Sequence, residues 1–158
     1  MMLKTIVLAS LLGLTLALTS PVLGSPSVED QIKARQSAYT FIAWNMNRIR
    51  AQVVDEDHPY SPEQVQAAAR AIAAAANSGL SAMYGPGSAE GSGWKPTRLR
   101  AEFFDELEDV GPIAMRFMQE TTRLAEVAET GDQAAIAAQF RTTASTCGDC
   151  HRRWRASE

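Results

Sequence analysis

The chain has 158 residues, of which 46% are hydrophobic, and its formal net charge is −3 at neutral pH. This length suits one globular domain built around a single core and leaves little chain for a second. A slightly acidic chain does not favour nucleic acid as a partner, because proteins that bind nucleic acid usually display a basic surface. The two cysteines have only two residues between them, so they would make a poor structural disulfide.

The N-terminus has the pattern of a secretory signal peptide. Lys4 is followed by an uncharged apolar run over residues 5–19, and Val22 and Gly24 occupy the two positions that a signal peptidase reads. The run is shorter than the roughly 20 residues that a membrane-spanning helix needs, which disfavours an uncleaved anchor. We therefore predict cleavage after Gly24, export to the periplasm, and a mature chain of net charge −4 that does not insert into the membrane.

The first predicted helix begins at about Ser27, which can act as an N-cap, and ends at about Val54. Side chains spaced alternately three and four residues apart form one continuous stripe along it. This stripe consists of Ile32, Arg35, Tyr39, Ile42, Met46, Ile49 and Val53.

The second predicted helix begins with Ser61 as N-cap and Pro62 at the first helical position, and it extends to about Met83. Its inward stripe consists of Val65, Ala69, Ile72, Ala76, Leu80 and Met83. Residues 84–96 follow, with four glycines, two prolines and no apolar periodicity. They are predicted to form the one long loop of the domain, and such loops often serve a site.

The third predicted helix runs from about Ala101 to Glu129 with a kink at Pro112, and the fourth begins near Asp132. One side of the fourth helix presents Ile136, Phe140, Thr143, Cys147, Cys150, His151 and Trp154. The chain shows no alternating strand pattern. We predict an all-α fold, an antiparallel up-down-up-down four-helix bundle over residues 25–158 with helices crossing at about 20°.

The segment Cys147-Gly148-Asp149-Cys150-His151 indicates covalent haem attachment. Two thioethers require two cysteines at a fixed separation, and the histidine after the second cysteine must reach the iron. Cys147 and His151 are one helical turn apart on the same face, with Cys150 beside them. The motif therefore predicts one haem c per chain, attached through Cys147 and Cys150, with His151 as the axial ligand of the iron.

Two other uses of these residues compete with haem. A tetrahedral zinc site usually takes four cysteine or histidine ligands, and only His58 could complete such a set. A redox-active dithiol belongs at the start of a helix near a sheet, whereas this motif lies in the last helix of an all-α chain. Both alternatives are therefore disfavoured.

The first predicted helix should face the other side of the haem. Arg35 lies on its apolar stripe, where it would need an anion such as a haem propionate, unless it extends to solvent. Tyr39 lies one turn further, about 6 Å along the axis, where a residue over the iron would sit. A six-coordinate electron carrier would instead need Met46 or Met83 as the second axial ligand. Met46 lies about 10 Å beyond Tyr39 and is better explained as core filling.

These features together resemble the cytochromes c′, the high-spin class of bacterial four-helix c-type cytochromes. The resemblance covers the whole mature chain, and the attachment motif lies only seven residues from the end of the sequence, whereas it comes early in small electron-carrier cytochromes c. The other motifs that carry the resemblance are Arg35-Gln36-Ser37-Ala38-Tyr39, Asn77-Ser78-Gly79, Tyr84-Gly85-Pro86-Gly87, Glu102-Phe103-Phe104 and Trp154-Arg155.

The resemblance implies a five-coordinate haem iron that His151 alone holds, with a buried apolar distal pocket that accepts NO or CO. It also implies a role in electron transport with an unidentified redox partner. The residues it assigns are Arg35, Gln36, Thr97 and Arg98 at the haem edge, Tyr39 in the distal pocket, and Arg155 beside the proximal histidine. The protein is not predicted to be an enzyme, because neither His58 nor any carboxylate lies on the stripe of the first helix.

The resemblance further implies a homodimer. The chain most resembles those c′ proteins of purple phototrophic bacteria that have a distal tyrosine. In such proteins, binding of a distal ligand loosens the dimer. A ligand that forces Tyr39 aside would move the first helix, which is a candidate dimer face. Phe41 and Trp44 lie on a second side of that helix, and they would form either the dimer contact or internal packing.

Overall fold

The computed structural model describes residues 26–157, which form an all-α bundle of four helices, as predicted. The predicted signal peptide, residues 1–24, lies outside the described residues. Two short 3₁₀ turns lie in the connection between the second and third helices. The helices are α1 (Val28–Val53), α2 (Pro62–Ala76), α3 (Leu107–Ala128) and α4 (Gln133–Trp154), and the 3₁₀ turns are Leu80–Met83 and Ala101–Phe104.

Each helix packs against the next in the chain, and α1 returns against α4 to close the bundle. Within residues 26–157 there is no helix both long enough and apolar enough to span a membrane. The predicted stripes lie inside the bundle: Ile32, Ile49, Ile72 and Ile136 are fully buried. This core places one face of α1 opposite the last turns of α4.

The predicted starts of α1, α2 and α4 are confirmed by their caps. The side chains of Ser27, Ser61 and Asp132 each accept a hydrogen bond from the backbone N–H three residues later. Such caps satisfy backbone donors that have no partner inside the helix. They fix where α1, α2 and α4 begin.

Two helices are shorter than predicted. The second ends at Ala76 and not near Met83, because Asn77 forms its C-cap and Gly79 adopts a left-handed conformation with φ of 84°. The third begins at Leu107, since Glu106 lies outside the helical region at φ −116° and ψ 31°. Pro112 is then accommodated within the first two turns of α3.

Candidate functional site

The last turns of α4 carry the two cysteines and the histidine of the predicted haem motif. Cys147 and Cys150 are free, half-buried thiols, and Cys147 packs against the hydrophobic core. Burial raises the pKa of both thiols. Because a redox dithiol needs a cysteine with a lowered pKa, these surroundings do not favour that use.

His151 follows at the exposed end of the same helix. Partial burial and the positive charges of Arg155 and Arg98 lower the pKa of His151. The ring is therefore neutral at neutral pH, and a nitrogen lone pair is available for a metal. The chemistry of two thiols and a neutral imidazole in this order on one helical face fits a covalently attached haem.

The structure provides no ligand set for zinc in the part of the chain that it describes. Within residues 26–157, no three His, Cys, Asp or Glu side chains cluster so that they could hold a metal ion. His58 lies in the connection between α1 and α2, where Nδ1 is 2.9 Å from Oδ1 of Asp57. It does not join Cys147 and Cys150.

Tyr39 extends from α1 towards these thiols. Its ring packs against the core, and burial is the main cause that raises its pKa, with the nearby Cys150 and Cys147 adding to the shift. Tyr84 lies near Tyr39, and burial raises the pKa of its phenol as well. Two phenols therefore lie near the attachment motif. The sequence analysis predicted Tyr39 there but not Tyr84.

An aromatic cluster extends from Tyr84 to the end of α4. The rings of Tyr84 and Phe103 stack with their centroids 4.8 Å apart, and Phe103 contacts the edge of Trp154 at 6.0 Å. Trp154 is 1% exposed, and its Nε1 donates a hydrogen bond of 2.9 Å to Glu106. The two 3₁₀ turns and α4 are thereby packed together beside the haem motif.

Arg35 is 7% exposed, and both of its terminal nitrogens are bound to neutral acceptors. Its Nη1 donates to the Met83 carbonyl at 3.1 Å and to Oγ of Ser88 at 3.0 Å. Its Nη2 donates to the Ser88 carbonyl at 2.8 Å and to Oγ1 of Thr97 at 2.9 Å. The guanidinium also lies 4.8 Å from the centroid of the Tyr84 ring. Arg35 thus holds both ends of the loop against α1 and leaves only its Nε–H for a further acceptor.

Gln36 and Thr97, two of the three other residues predicted at the haem edge, hold the same loop. Oε1 of Gln36 accepts from the Trp94 N–H at 2.8 Å, and its Nε2 donates to the Lys95 carbonyl at 2.8 Å. Thr97 takes part through its bond from Arg35. The structure therefore brings Arg35, Gln36 and Thr97 together as one network between α1 and the loop.

Arg98 and Arg155 lie at the other end of the site, close to His151. Nε of Arg98 donates to the Ala156 carbonyl at 2.8 Å, and the Ala156 N–H donates to the Arg98 carbonyl at 2.8 Å. Leu99 and Arg155 form an isolated antiparallel bridge. Arg155 and Arg98 thus both lie close enough to His151 for their charges to act on it, although Arg98 was predicted at the haem edge.

The sequence did not assign functions to Tyr84, Ser88, Phe103 and Glu106. Tyr84 and Phe103 stand in motifs that carried the resemblance, but the stripes of the helices gave no reason to place them at the site. Ser88 is fully buried within a loop rich in glycine, where polarity predicts exposure. The position of Arg35 on an apolar stripe could have indicated a buried partner such as Ser88, because a buried guanidinium needs hydrogen-bond acceptors from elsewhere in the chain.

The four-helix bundle with a haem-attachment motif on its last helix defines a class of c-type cytochrome. The family model described as cytochrome C′ matches residues 30–155. Cytochrome c′ of Allochromatium vinosum is 44% identical over 148 residues, which cover 94% of each chain. The chain belongs to the cytochrome c′ family, whose members carry covalently bound haem c.

Two solved structures of cytochromes c′ are similar to this fold. One, from a protein with an unusual ligand-controlled dimer dissociation, has a TM-score of 0.80 at 43% identity and covers 85% of this chain and 100% of that one. The other is a nitric oxide complex of a variant from Alcaligenes xylosoxidans, with a TM-score of 0.74 at 25% identity and the same coverage of both chains. The predicted family and fold are therefore confirmed.

Proposed function

We propose that this chain is a periplasmic cytochrome c′ that binds diatomic gases at a five-coordinate haem iron and takes part in electron transport. Cys147 and Cys150 form the thioethers, and His151 is the single axial ligand from the protein. The observation that carries the proposal is the placement of Tyr39 on α1, opposite both thiols. When bound, the haem supplies an iron centre for gas binding and one-electron transfer.

The surroundings of the candidate axial ligands support a vacant sixth position. A phenol such as Tyr39 is a poor ligand for reduced iron. Met46, the sulfur residue on the same stripe, is 9% exposed and packs within the hydrophobic core. Met83 is half-buried against the same core, and its carbonyl accepts a hydrogen bond from Arg35. These placements favour gas binding over a six-coordinate electron carrier.

The other residues of the site have supporting roles in this proposal. Arg35, Gln36 and Thr97 hold the loop at the haem edge, and the remaining Nε–H of Arg35 can meet a propionate. Arg98 and Arg155 keep positive charge next to His151 and favour its neutral form. These contacts bind and orient, and none of them supplies an acid-base group above the iron. We therefore propose a binding protein and not an enzyme.

An absorption spectrum tests the function directly. The haem protein purified from the periplasmic fraction is expected to be high-spin when oxidised and when reduced, and the reduced spectrum is expected to change when CO is added. Tyr39 occupies the distal side without supplying a strong ligand, so CO meets no competitor for the iron. A low-spin spectrum that CO leaves unchanged would contradict the proposal and favour a six-coordinate electron carrier.

We also propose that the protein is a homodimer that associates through α1. Phe41 and Trp44 are 49% and 58% exposed on one side of this helix, so they are not internal packing. Trp94 is 71% exposed and extends the same side, since its Nε1 donates to Oγ of Ser37 at 2.8 Å. Ser37, Phe41 and Trp44 follow one another at helical spacing. An exposed aromatic row of this kind is typical of an interaction surface.

Replacing Trp44 with alanine is expected to weaken the dimer by at least tenfold in dissociation constant, because large aromatic side chains dominate such interfaces. Sedimentation velocity over a range of protein concentrations measures the change. Met115→Ala is the matched control, since Met115 is 57% exposed on α3, away from α1. Equal dissociation constants for the two variants would contradict a dimer built on α1.

A further inference from the structure

Trp94 is a large aromatic side chain that the loop holds in a fixed position on the surface. It is 71% exposed, yet its Nε1 donates to Oγ of Ser37 at 2.8 Å and its backbone N–H donates to Oε1 of Gln36 at 2.8 Å. Nζ of Lys33 lies 5.6 Å from the ring centroid. Gly93 lets the loop approach α1 this closely, since a Cβ there would lie 2.7 Å from the backbone nitrogen of Lys33. An indole held in this way loses little freedom when a partner covers it.

The exposed row of α1 that starts beside Trp94 ends in a cleft. Trp44, Arg48 and Ala51 continue the helical spacing of the row and form one wall of the cleft. His58, in the connection after α1, and Gln64, in the first turn of α2, lie on the other side. The cleft has a volume of about 360 Å³. Pockets that hold small organic groups measure about 300–1,000 Å³, so one aromatic side chain is a suitable occupant.

Arg48 gives this cleft a surface that suits an aromatic ring. Its guanidinium lies 4.8 Å from the centroid of the Trp44 ring. A guanidinium is planar and stacks on aromatic faces, and it has two such faces. Trp44 covers one of them, so a second indole that enters the cleft can stack on the other. The chemistry of the cleft therefore matches a tryptophan side chain.

The distances along α1 match a dimer with two-fold symmetry. Ser37 and Arg48 lie about 17 Å apart along the helix axis at about 1.5 Å per residue, and the exposed rings of Phe41 and Trp44 lie between them. In a two-fold dimer, each protomer contributes the same surface. Two antiparallel copies of α1 that cross between Phe41 and Trp44 place Ser37 of one copy level with the cleft of the other. Trp94, which is bound to Ser37, then faces that cleft.

We propose that two copies of this chain pair through antiparallel α1 helices, and that Trp94 of each protomer inserts into the cleft of the other and stacks on the partner's Arg48. The inference rests on the homodimer proposed above. Charge supports the same alignment. Lys95, next to Trp94, is exposed, and Oδ1 of Asp57 lies 2.9 Å from Nδ1 of His58 at the cleft. The antiparallel arrangement brings this lysine towards the acidic end of the other copy.

Replacing Trp94 with alanine is expected to raise the dissociation constant of the dimer about a hundredfold. A two-fold dimer contains the contact twice, and we assign about tenfold to each copy. Sedimentation velocity of the haem-loaded protein measures the change, with Met115→Ala again as the control that should have no effect. Trp94→Phe keeps a ring for the cleft but loses the hydrogen bond to Ser37, so its dissociation constant should lie between those of the wild type and Trp94→Ala.

A double-mutant cycle with Arg48→Ala tests the contact itself. Within one chain, Trp94 and Arg48 lie at levels of α1 about 17 Å apart, and substitutions at such a distance normally have additive effects. A departure from additivity therefore reports contact across the dimer. The double variant is expected to have a dissociation constant about tenfold lower than the two single effects predict together. The cycle of Trp94→Ala with Met115→Ala should be additive.

The outcomes separate this inference from the dimer on which it rests. A wild-type protein that is monomeric at every concentration rejects the homodimer, and the inference with it. A dimer that Trp44→Ala weakens and Trp94→Ala does not would overturn the role of Trp94 alone. Additive effects of Trp94→Ala and Arg48→Ala would also overturn it, whatever their size. A large effect of Trp94→Ala combined with non-additivity supports insertion into the cleft.

Discussion

Substitution of both Cys147 and Cys150 by alanine is expected to abolish covalent haem attachment. Each thioether forms at a cysteine sulfur, and the described part of the chain has no other cysteine. Without thioethers, His151 alone would hold the haem, and a single coordinate bond does not survive unfolding. After denaturation in acid and organic solvent, haem is expected to stay with the wild-type polypeptide and to be extracted completely from the variant.

Asp149→Asn provides the control for this experiment, because Asp149 lies between the two cysteines on the same turn. Its carboxylate pairs with Arg152 on its own helix and, at 3.3 Å, with Arg116 of α3. Exposed pairs of this kind contribute little to stability, so the asparagine variant should retain its haem fully. Haem that resists extraction from the double alanine variant would show that the attachment sites have been assigned wrongly.

Replacing Arg35 with leucine is expected to lower the free energy of unfolding by about 3 kcal/mol. Four neutral acceptors lose their donor, and those on Ser88 are fully buried and cannot turn to water. The loop should also become more open than the rest of the domain. Urea denaturation measures the loss, and hydrogen exchange of the amides in residues 84–97 locates it.

Two further substitutions separate the geometry of Arg35 from its charge. Arg35→Lys keeps the charge, but an ammonium group cannot donate to four acceptors that are arranged around a planar guanidinium. We therefore expect its free energy of unfolding to lie between those of the wild type and the Arg35→Leu variant. Arg123→Ala removes an arginine that is 61% exposed and paired with Glu126 on the same helix. That substitution should lower the free energy of unfolding by less than about 0.5 kcal/mol. If Arg35→Leu proves as stable as Arg123→Ala, the loop does not depend on Arg35.

Local patterns in the sequence were sufficient to predict the helices. The stripe from Ile32 to Val53 repeats at the period of an α-helix, and Ser27, Ser61 and Asp132 are caps that act within three residues. The haem motif could be found for the same reason, since its chemistry lies within five consecutive residues. The position of Tyr39 followed from helical spacing relative to Arg35.

The contacts of the loop could not be predicted in this way. Ser88 and Thr97 meet Arg35 across more than 50 residues of chain, and no periodic pattern specifies such pairs. The sequence suggested only an anion for Arg35, and it did not reveal that backbone carbonyls and hydroxyls also accept hydrogen bonds from its guanidinium. Likewise, α2 was extended to Met83 because Leu80 continues its apolar spacing, although Gly79 turns the backbone before it.

The proposed gas site lies between α1 and α4, the first and last helices in the order of the chain. Sequential helices can pair through local contacts, but this interface joins segments about a hundred residues apart and carries a higher cost of loop closure. A bundle of this topology is therefore expected to close at its pocket last during folding. In the native state it should open there first, so that a small ligand can enter while the other three interfaces stay intact.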